Sequence, residues 1–264
     1  MLKADGFYGR DSHDHRRPLV LAHRGASDMA PENTLAAFQA AIAAGADGFE
    51  LDVSRCASGE IVVIHDDTLE RTTDGTGRVA ATPWSALREL DAGSWFAPQY
   101  AGERIPMLQE VLDLAADRRE NEGGCRVNIE IKGMGLRGDG LEREVAVMVR
   151  AHGLEQHVLL SSFNPLALWR ARRAAPDLPR GLLYADGLPI YLARAWARPL
   201  VAPTALHPHE RMVDEGYVRW ARRMGYRLNV WTVDDPHAMR QMIALGVDGI
   251  ITNHPARLRA LLTP

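Results

Sequence analysis

The sequence predicts an α/β fold of the (β/α)8, or TIM-barrel, type, with a small insertion between the second strand and the second helix. Three observations lead there. Apolar strand-like runs alternate with amphipathic segments of helical length almost to the end of the chain, the pattern of βαβ units around a parallel sheet. Nine such runs occur, one of them too close to its predecessor for a parallel crossover. Polar, ionisable residues gather at the ends of several runs, where barrel enzymes build their sites. A chain of 264 residues, 46% hydrophobic, has the length and apolar content for one such barrel.

The strand candidates are residues 19–23, 49–53, 61–65, 127–131, 158–163, 181–184, 204–207, 228–233 and 249–252. Amphipathic stretches at 35–44, 108–118, 142–151, 166–174, 217–224 and 237–245 lie between most of them. The run 61–65 follows Val53 after a short segment containing Gly59, whereas a parallel crossover needs about a dozen residues. It is therefore predicted to fold back antiparallel, which leaves eight parallel strands. If that turn centres between Ala57 and Ser58, paired residue numbers sum to 115, and Glu50 faces His65 across the hairpin. Residues 66–104 are rich in Thr, Gly and Asp, with Trp84, Trp95, Phe96 and Tyr100 interspersed, and fit neither periodicity; they are read as the insertion, capping one end of the barrel. Residues 1–17, including Phe7, Tyr8, His13, Asp14 and His15, read as a flexible N-terminal tail, and 18–264 as the barrel domain.

Bulk properties narrow the function. Thirty-one Lys and Arg against 34 Asp and Glu leave a net charge of -3, which is no footprint for nucleic acid. The arginine clusters Arg170, Arg172, Arg173 and Arg219, Arg222, Arg223 read as solvated helix faces. Cys56 and Cys125 are too few for a disulfide framework and have no metal-ligand spacing. The polar start has no apolar signal core, and no stretch has the length of a membrane span. The expectation is a cytoplasmic protein without a membrane anchor, monomeric or homodimeric.

Four strand ends supply candidate chemistry. The first ends in His23-Arg24-Gly25; the second carries Glu50 and Asp52 on one face; the third barrel strand carries Glu130 and Lys132 on one face; the seventh ends in Trp231-Thr232. The hairpin brings His65 to the same rim. Each feature alone has a plain structural reading, a satisfied carboxylate pair or a rim histidine. Their convergence is what points to a site, and three carboxylates without cysteine favour one hard divalent cation, Mg²⁺ or Ca²⁺. His207 follows the sixth barrel strand and reads equally as a rim residue or a substrate contact, while Met239, Met242 and Ile243 read as helix core.

At these residues the sequence resembles the glycerophosphodiester phosphodiesterase family, of the bacterial cytosolic type. The resemblance rests on AHRGASDMAPENTLAAF (22–38), FELDV (49–53), VVIHDDTLERTTDGTG (62–77), DAGSWF (91–96), IPMLQEVL (105–112), NIEIK (128–132), LLSSFN (159–164), VWTVDDP (230–236) and GVDGIITNHP (246–255), in the family's order. It implies a barrel with the 66–104 segment as inserted subdomain, and a small-molecule glycerophosphodiester substrate hydrolysed to sn-glycerol 3-phosphate and an alcohol. It also implies His23 and His65 as acid/base pair, Glu50, Asp52 and Glu130 as metal ligands, Arg24 and Lys132 at the phosphate, and Phe163 and Trp231 near the glycerol end. Two departures stand out: Arg55-Cys56-Ala57-Ser58-Gly59 replaces a common T-x-D-G turn, and Asn253 stands where Asp is frequent. Two other readings compete. A lipid phosphodiesterase on the same barrel should need an apolar channel, and a noncatalytic phosphate-binding barrel should lack one of the five site residues.

Overall fold

The computed structural model describes residues 5–9, 17–119, 124–133, 135, 138–193 and 195–263. Nine strands occur in it: β1 (Leu19–Ala22), β2 (Gly48–Arg55), β3 (Ile61–Val63), β4 (Arg126–Ile131), β5 (Val158–Ser162), β6 (Arg180–Tyr184), β7 (Ala205–Pro208), β8 (Arg227–Val230) and β9 (Gly249–Thr252). All but β3 run parallel, each hydrogen-bonded to the next around a ring that closes where β1 pairs with both β2 and β9. Helices follow the strands on the outside. Thr34, Asn164, Asp214 and Asp235 cap four of them by accepting from backbone N–H groups of the first turn. Pro165, Pro236 and Pro255 open three helices where no N–H is needed. Apolar strand residues such as Phe49, Leu51, Val127 and Ile129, with Leu108, Leu112, Val145 and Val149 from the helices, are buried in one large cluster.

β2 is the longest strand, because its end runs past the barrel and pairs antiparallel with β3. That pairing sets Val53 against Val63 and Arg55 against Ile61, so partners sum to 116 rather than 115. The turn centres on Ser58, half a residue beyond the predicted centre. Asp52, not Glu50, lies nearest the hairpin's end, its carbonyl accepting from Ile64 N at 3.0 Å. Pleat parity carried onward would send His65 to the wrong face. The strand stops at Val63, however, and the chain turns there, so His65 arrives at the barrel mouth from a loop and not from a ladder.

The insertion is irregular but not unstructured. It holds two 3-10 turns, Val79–Ala81 and Pro98–Tyr100, and one short helix, Trp84–Leu87. Leu69, Val79, Leu87 and Ala92 close around Val62, Ile64 and Ile105 in a small core of their own.

The N-terminal segment departs from the expected flexible tail over its described part. Phe7 and Tyr8, in a short helix (Asp5–Tyr8), are only 1% and 8% exposed. They pack against the inward side chains Leu21, Leu159, Ala205 and Ile251. Arg126 Nε donates to the Phe7 carbonyl at 2.6 Å, and Asn229 Nδ2 donates to the Tyr8 hydroxyl at 2.9 Å. The barrel interior is lined here by small residues, among them Gly48, Ala205 and Gly249, which leave room that two aromatic rings fill. His13, Asp14 and His15 lie outside the described residues.

Phe7→Ala is expected to cost about 3–5 kcal/mol of unfolding free energy, the usual range for emptying a buried aromatic site. Urea denaturation checks this, and an unchanged midpoint would show that the segment is not seated.

Candidate active site

Strand ends and the loops after them converge at one mouth of the barrel. There a cavity of about 70 Å³ is lined by His23, Arg24, Glu50, His65, Asn128, Glu130, Phe163, Leu183, Trp231 and Ile251. Seven of the nine residues singled out from sequence line this cavity, and the other two, Lys132 and Asp52, touch side chains that do, Glu130 and Arg24.

The acidic trio is the centre of the arrangement. Glu50 and Asp52 alternate inward on β2, and Glu130 stands on β4 opposite Asp52 in register. Oxygens of all three lie within 4.8 Å of one another, on residues 4%, 1% and 9% exposed. Lys132 Nζ sits 3.0 Å from Glu130 and 3.3 Å from Asp52. Arg24 Nε lies 3.4 Å from Asp52, and Asn33 Nδ2 donates to the same carboxylate at 2.9 Å. Burial opposes the charge of Asp52, but Lys132 and Arg24 outweigh it and hold its pKa below the ordinary value. Glu50 has less compensation, so burial and then the charges of Asp52 and Glu130 push it well up. Burial, with Asp52 next, raises Glu130 to about 7.

Two carboxylates held above their ordinary range in a buried trio signal a deficit of positive charge, which fits a divalent cation. Spacing fits as well. Oxygens on one ion lie no farther apart than twice the metal–oxygen distance, about 4.6–5.2 Å for Ca²⁺ and about 4.0–4.2 Å for Mg²⁺. Glu50, Asp52 and Glu130 are the residues that could hold such a cation.

Arg24 reaches the trio through an unusual backbone. Its φ is +56°, in the left-handed region that non-glycine residues seldom occupy, and its N–H donates to Glu50 at 3.1 Å. Gly25 follows at φ +84°, where a Cβ would lie 2.6 Å from the Ala37 backbone of the next helix. The turn thus requires glycine twice over, by dihedral and by space.

The two histidines differ in their support. His23 Nδ1 is 2.7 Å from Asn253 Oδ1, and Asn253 Nδ2 donates to Asp234 at 2.6 Å. With its NH₂ committed to a carboxylate, Asn253 presents an acceptor, so His23 Nδ1 carries the proton. Burial, aided by Arg24, lowers the His23 pKa to about 4 against the pull of Asn253. His65 Nδ1 instead meets a carboxylate, Asp66, at 2.6 Å. A hydrogen bond from Arg71 above all keeps Asp66 ionised, with a pKa of about 2. Arg71 also grips Glu32 with two nitrogens at 2.7 and 2.8 Å, and Glu32 holds Arg24 at 2.8 Å.

Phe163 and Trp231 meet edge to face, centroids 5.3 Å apart, and Trp231 Nε1 donates to the His207 carbonyl. His207 itself is buried in the barrel interior against Asn229 and is not at the rim. Sequence reasoning passed over Glu32, Asn33, Asp66, Arg71, Asn128, Asp234 and Asn253 as site residues. All sit in quoted motifs, but nothing in their spacing shows which side chain turns inward.

Fold and site together define the class, a (β/α)8 enzyme with imidazoles, carboxylates and cations at the C-terminal rim. The chain belongs to the glycerophosphoryl diester phosphodiesterase family, whose model matches residues 23–257. It is 41% identical over 243 residues to a glycerophosphodiester phosphodiesterase of Caldanaerobacter subterraneus, covering 92% of this chain and 96% of the relative. Among solved structures, it is similar to a glycerophosphodiester phosphodiesterase of Agrobacterium tumefaciens (TM-score 0.79, 31% identity, 92% and 100% of the two chains). It is also similar to an Oleispira antarctica phosphodiesterase in complex with the product sn-glycerol-3-phosphate (TM-score 0.77, 33% identity, 92% and 96%). Among the described residues, no helix is long and apolar enough to cross a membrane.

Glu130 is raised from 4.5 towards 7, so the folded protein binds more protons than the unfolded chain between those values. Cation-free protein should therefore lose stability as pH rises across that window, having its full share below about 4.5. Thermal melts from pH 4.5 to 8 check this: Glu130→Gln should flatten the fall, and an equally steep fall in that variant would refute the assignment.

Proposed function

We propose that this chain hydrolyses glycerophosphodiesters to sn-glycerol 3-phosphate and a free alcohol, using one divalent cation, Mg²⁺ or Ca²⁺, held by Glu50, Asp52 and Glu130. The observation that carries the reading is the placement of two differently supported histidines on one cavity with that acidic trio. The Oleispira relative, with sn-glycerol-3-phosphate bound, supports the choice of product.

Bound there, the cation would supply Lewis-acid charge against nonbridging phosphate oxygens. Arg24 and Lys132 bring further positive charge to the same place, and both are oriented in advance by carboxylate partners. His23 is the base. Neutral at physiological pH and protonated on Nδ1, it offers the Nε2 lone pair to the attacking hydroxyl, whether of water or of the substrate's glycerol. His65 is the acid. Asp66 takes its Nδ1 proton in a hydrogen bond and supplies the counter-charge for an imidazolium, whose Nε2 proton goes to the leaving alcohol. Phe163 and Trp231 give an apolar wall suited to the glycerol carbons.

His23→Ala and His65→Ala should each lower kcat by about 10²–10⁴-fold, the usual contribution of a positioned proton transfer. Hydrolysis of glycerophosphocholine, glycerophosphoethanolamine and lysophosphatidylcholine, after cation depletion and with Mg²⁺ or Ca²⁺ restored, is the direct assay. Full activity without His65, or undiminished activity without a cation, would sink the scheme.

The division of labour has its own test. Asn253→Asp would place a carboxylate at His23 Nδ1 and favour the imidazolium. The acidic limb of the kcat/KM profile, which reports the base in the free enzyme, should then move to higher pH. A limb that stays in place would mean that His23 is not the base.

A further inference from the structure

Asn128 points inward from β4, beside Glu50 in register and one pleat below Glu130. It lines the cavity, is 1% exposed, and neither its Oδ1 nor its Nδ2 hydrogen-bonds to any protein atom. A buried amide left in that state destabilises the fold, and native interiors rarely retain one without a purpose. Asn229, also buried, faces the closed interior, where its Nδ2 meets both His207 Nε2 and the Tyr8 hydroxyl. Asn128 instead faces the space where substrate must sit.

We propose that Asn128 forms the floor of the substrate site and binds the terminal hydroxyl of the glycerol moiety, the one farthest from phosphorus. This rests on the glycerophosphodiester reading above. An amide offers donors and an acceptor side by side, and a hydroxyl both donates and accepts. A phosphate oxygen only accepts, so it would leave Oδ1 unpaired. Position agrees with chemistry. The groups suited to phosphate, Arg24 and Lys132, contact Asp52 and Glu130, while Asn128 stands one pleat deeper on β4, in register with Glu50. A glycerol chain running down past Phe163 and Trp231 brings its last hydroxyl to the amide. Asn128 is thus a specificity residue: it rewards the hydroxymethyl end and takes no part in proton transfer.

The test compares glycerophosphocholine with the analogue in which the terminal CH₂OH of the glycerol is replaced by CH₃, the 2-hydroxyl being retained. The unaltered enzyme should prefer the glycerol compound by about 10- to 100-fold in kcat/KM, the range for one buried hydrogen-bonding group. Asn128→Ala and Asn128→Leu should bring that ratio close to one. Both substrates are read on the same preparation, so a partly folded variant lowers both rates and leaves the ratio unmoved. A preference retained in both variants, or absent from the unaltered enzyme, overturns the proposal. So does a more than tenfold loss of Mg²⁺ or Ca²⁺ affinity in the variants, which would make Asn128 a cation ligand. If the unaltered enzyme cleaves bis(p-nitrophenyl) phosphate but neither choline diester, the parent reading itself fails.

Discussion

Three carboxylates are buried together where the barrel opens, and most of the surrounding structure answers the repulsion between them. Their oxygens lie within 4.8 Å of one another, away from the water that would screen them. Lys132 and Arg24 supply positive charge, and Asn33 and the Arg24 N–H supply hydrogen bonds. To deliver that N–H the backbone at Arg24 adopts a left-handed conformation, and the turn closes through Gly25 against the following helix. The compensation is incomplete for Glu50 and Glu130, and the remaining deficit is what suits the site to a divalent cation.

The same demand links the insertion to the barrel. Asp52 contacts Arg24, Arg24 contacts Glu32, Glu32 is held by Arg71, and Arg71 holds Asp66 beside His65. A chain of alternating charges therefore runs from the barrel interior through the first loop and into residues 66–104. It places His65 although no strand does so. The two imidazoles end in contrasting surroundings, one backed by an amide and one by a carboxylate. Under the proposed mechanism, that asymmetry would let chemically identical side chains serve as acid and base.

Much of this was legible in the chain. Alternating runs and their spacing were enough to separate eight parallel strands from one antiparallel strand, because crossover length is a hard geometric limit. Two-residue periodicity put Glu50 with Asp52 and Glu130 with Lys132. The hairpin register was not legible, since a turn centred half a residue further on shifts every partner by one and nothing local records it. Nor was the seating of Phe7 and Tyr8 in the barrel floor, because four polar-flanked residues carry no periodicity and their partners come from four different strands.

By itself, the sequence determined which residues could do chemistry and which strand each stands on or follows, since both follow from side-chain type and short-range geometry. Tertiary structure alone decided what each meets. Whether a histidine finds Asn253 or Asp66, whether a carboxylate is neutralised or left short of charge, and whether Asn128 faces protein or cavity all depend on groups brought together from distant parts of the chain. Electrostatic environment is a property of distances in space. The strand pattern constrains those distances, but only closure of the barrel sets them.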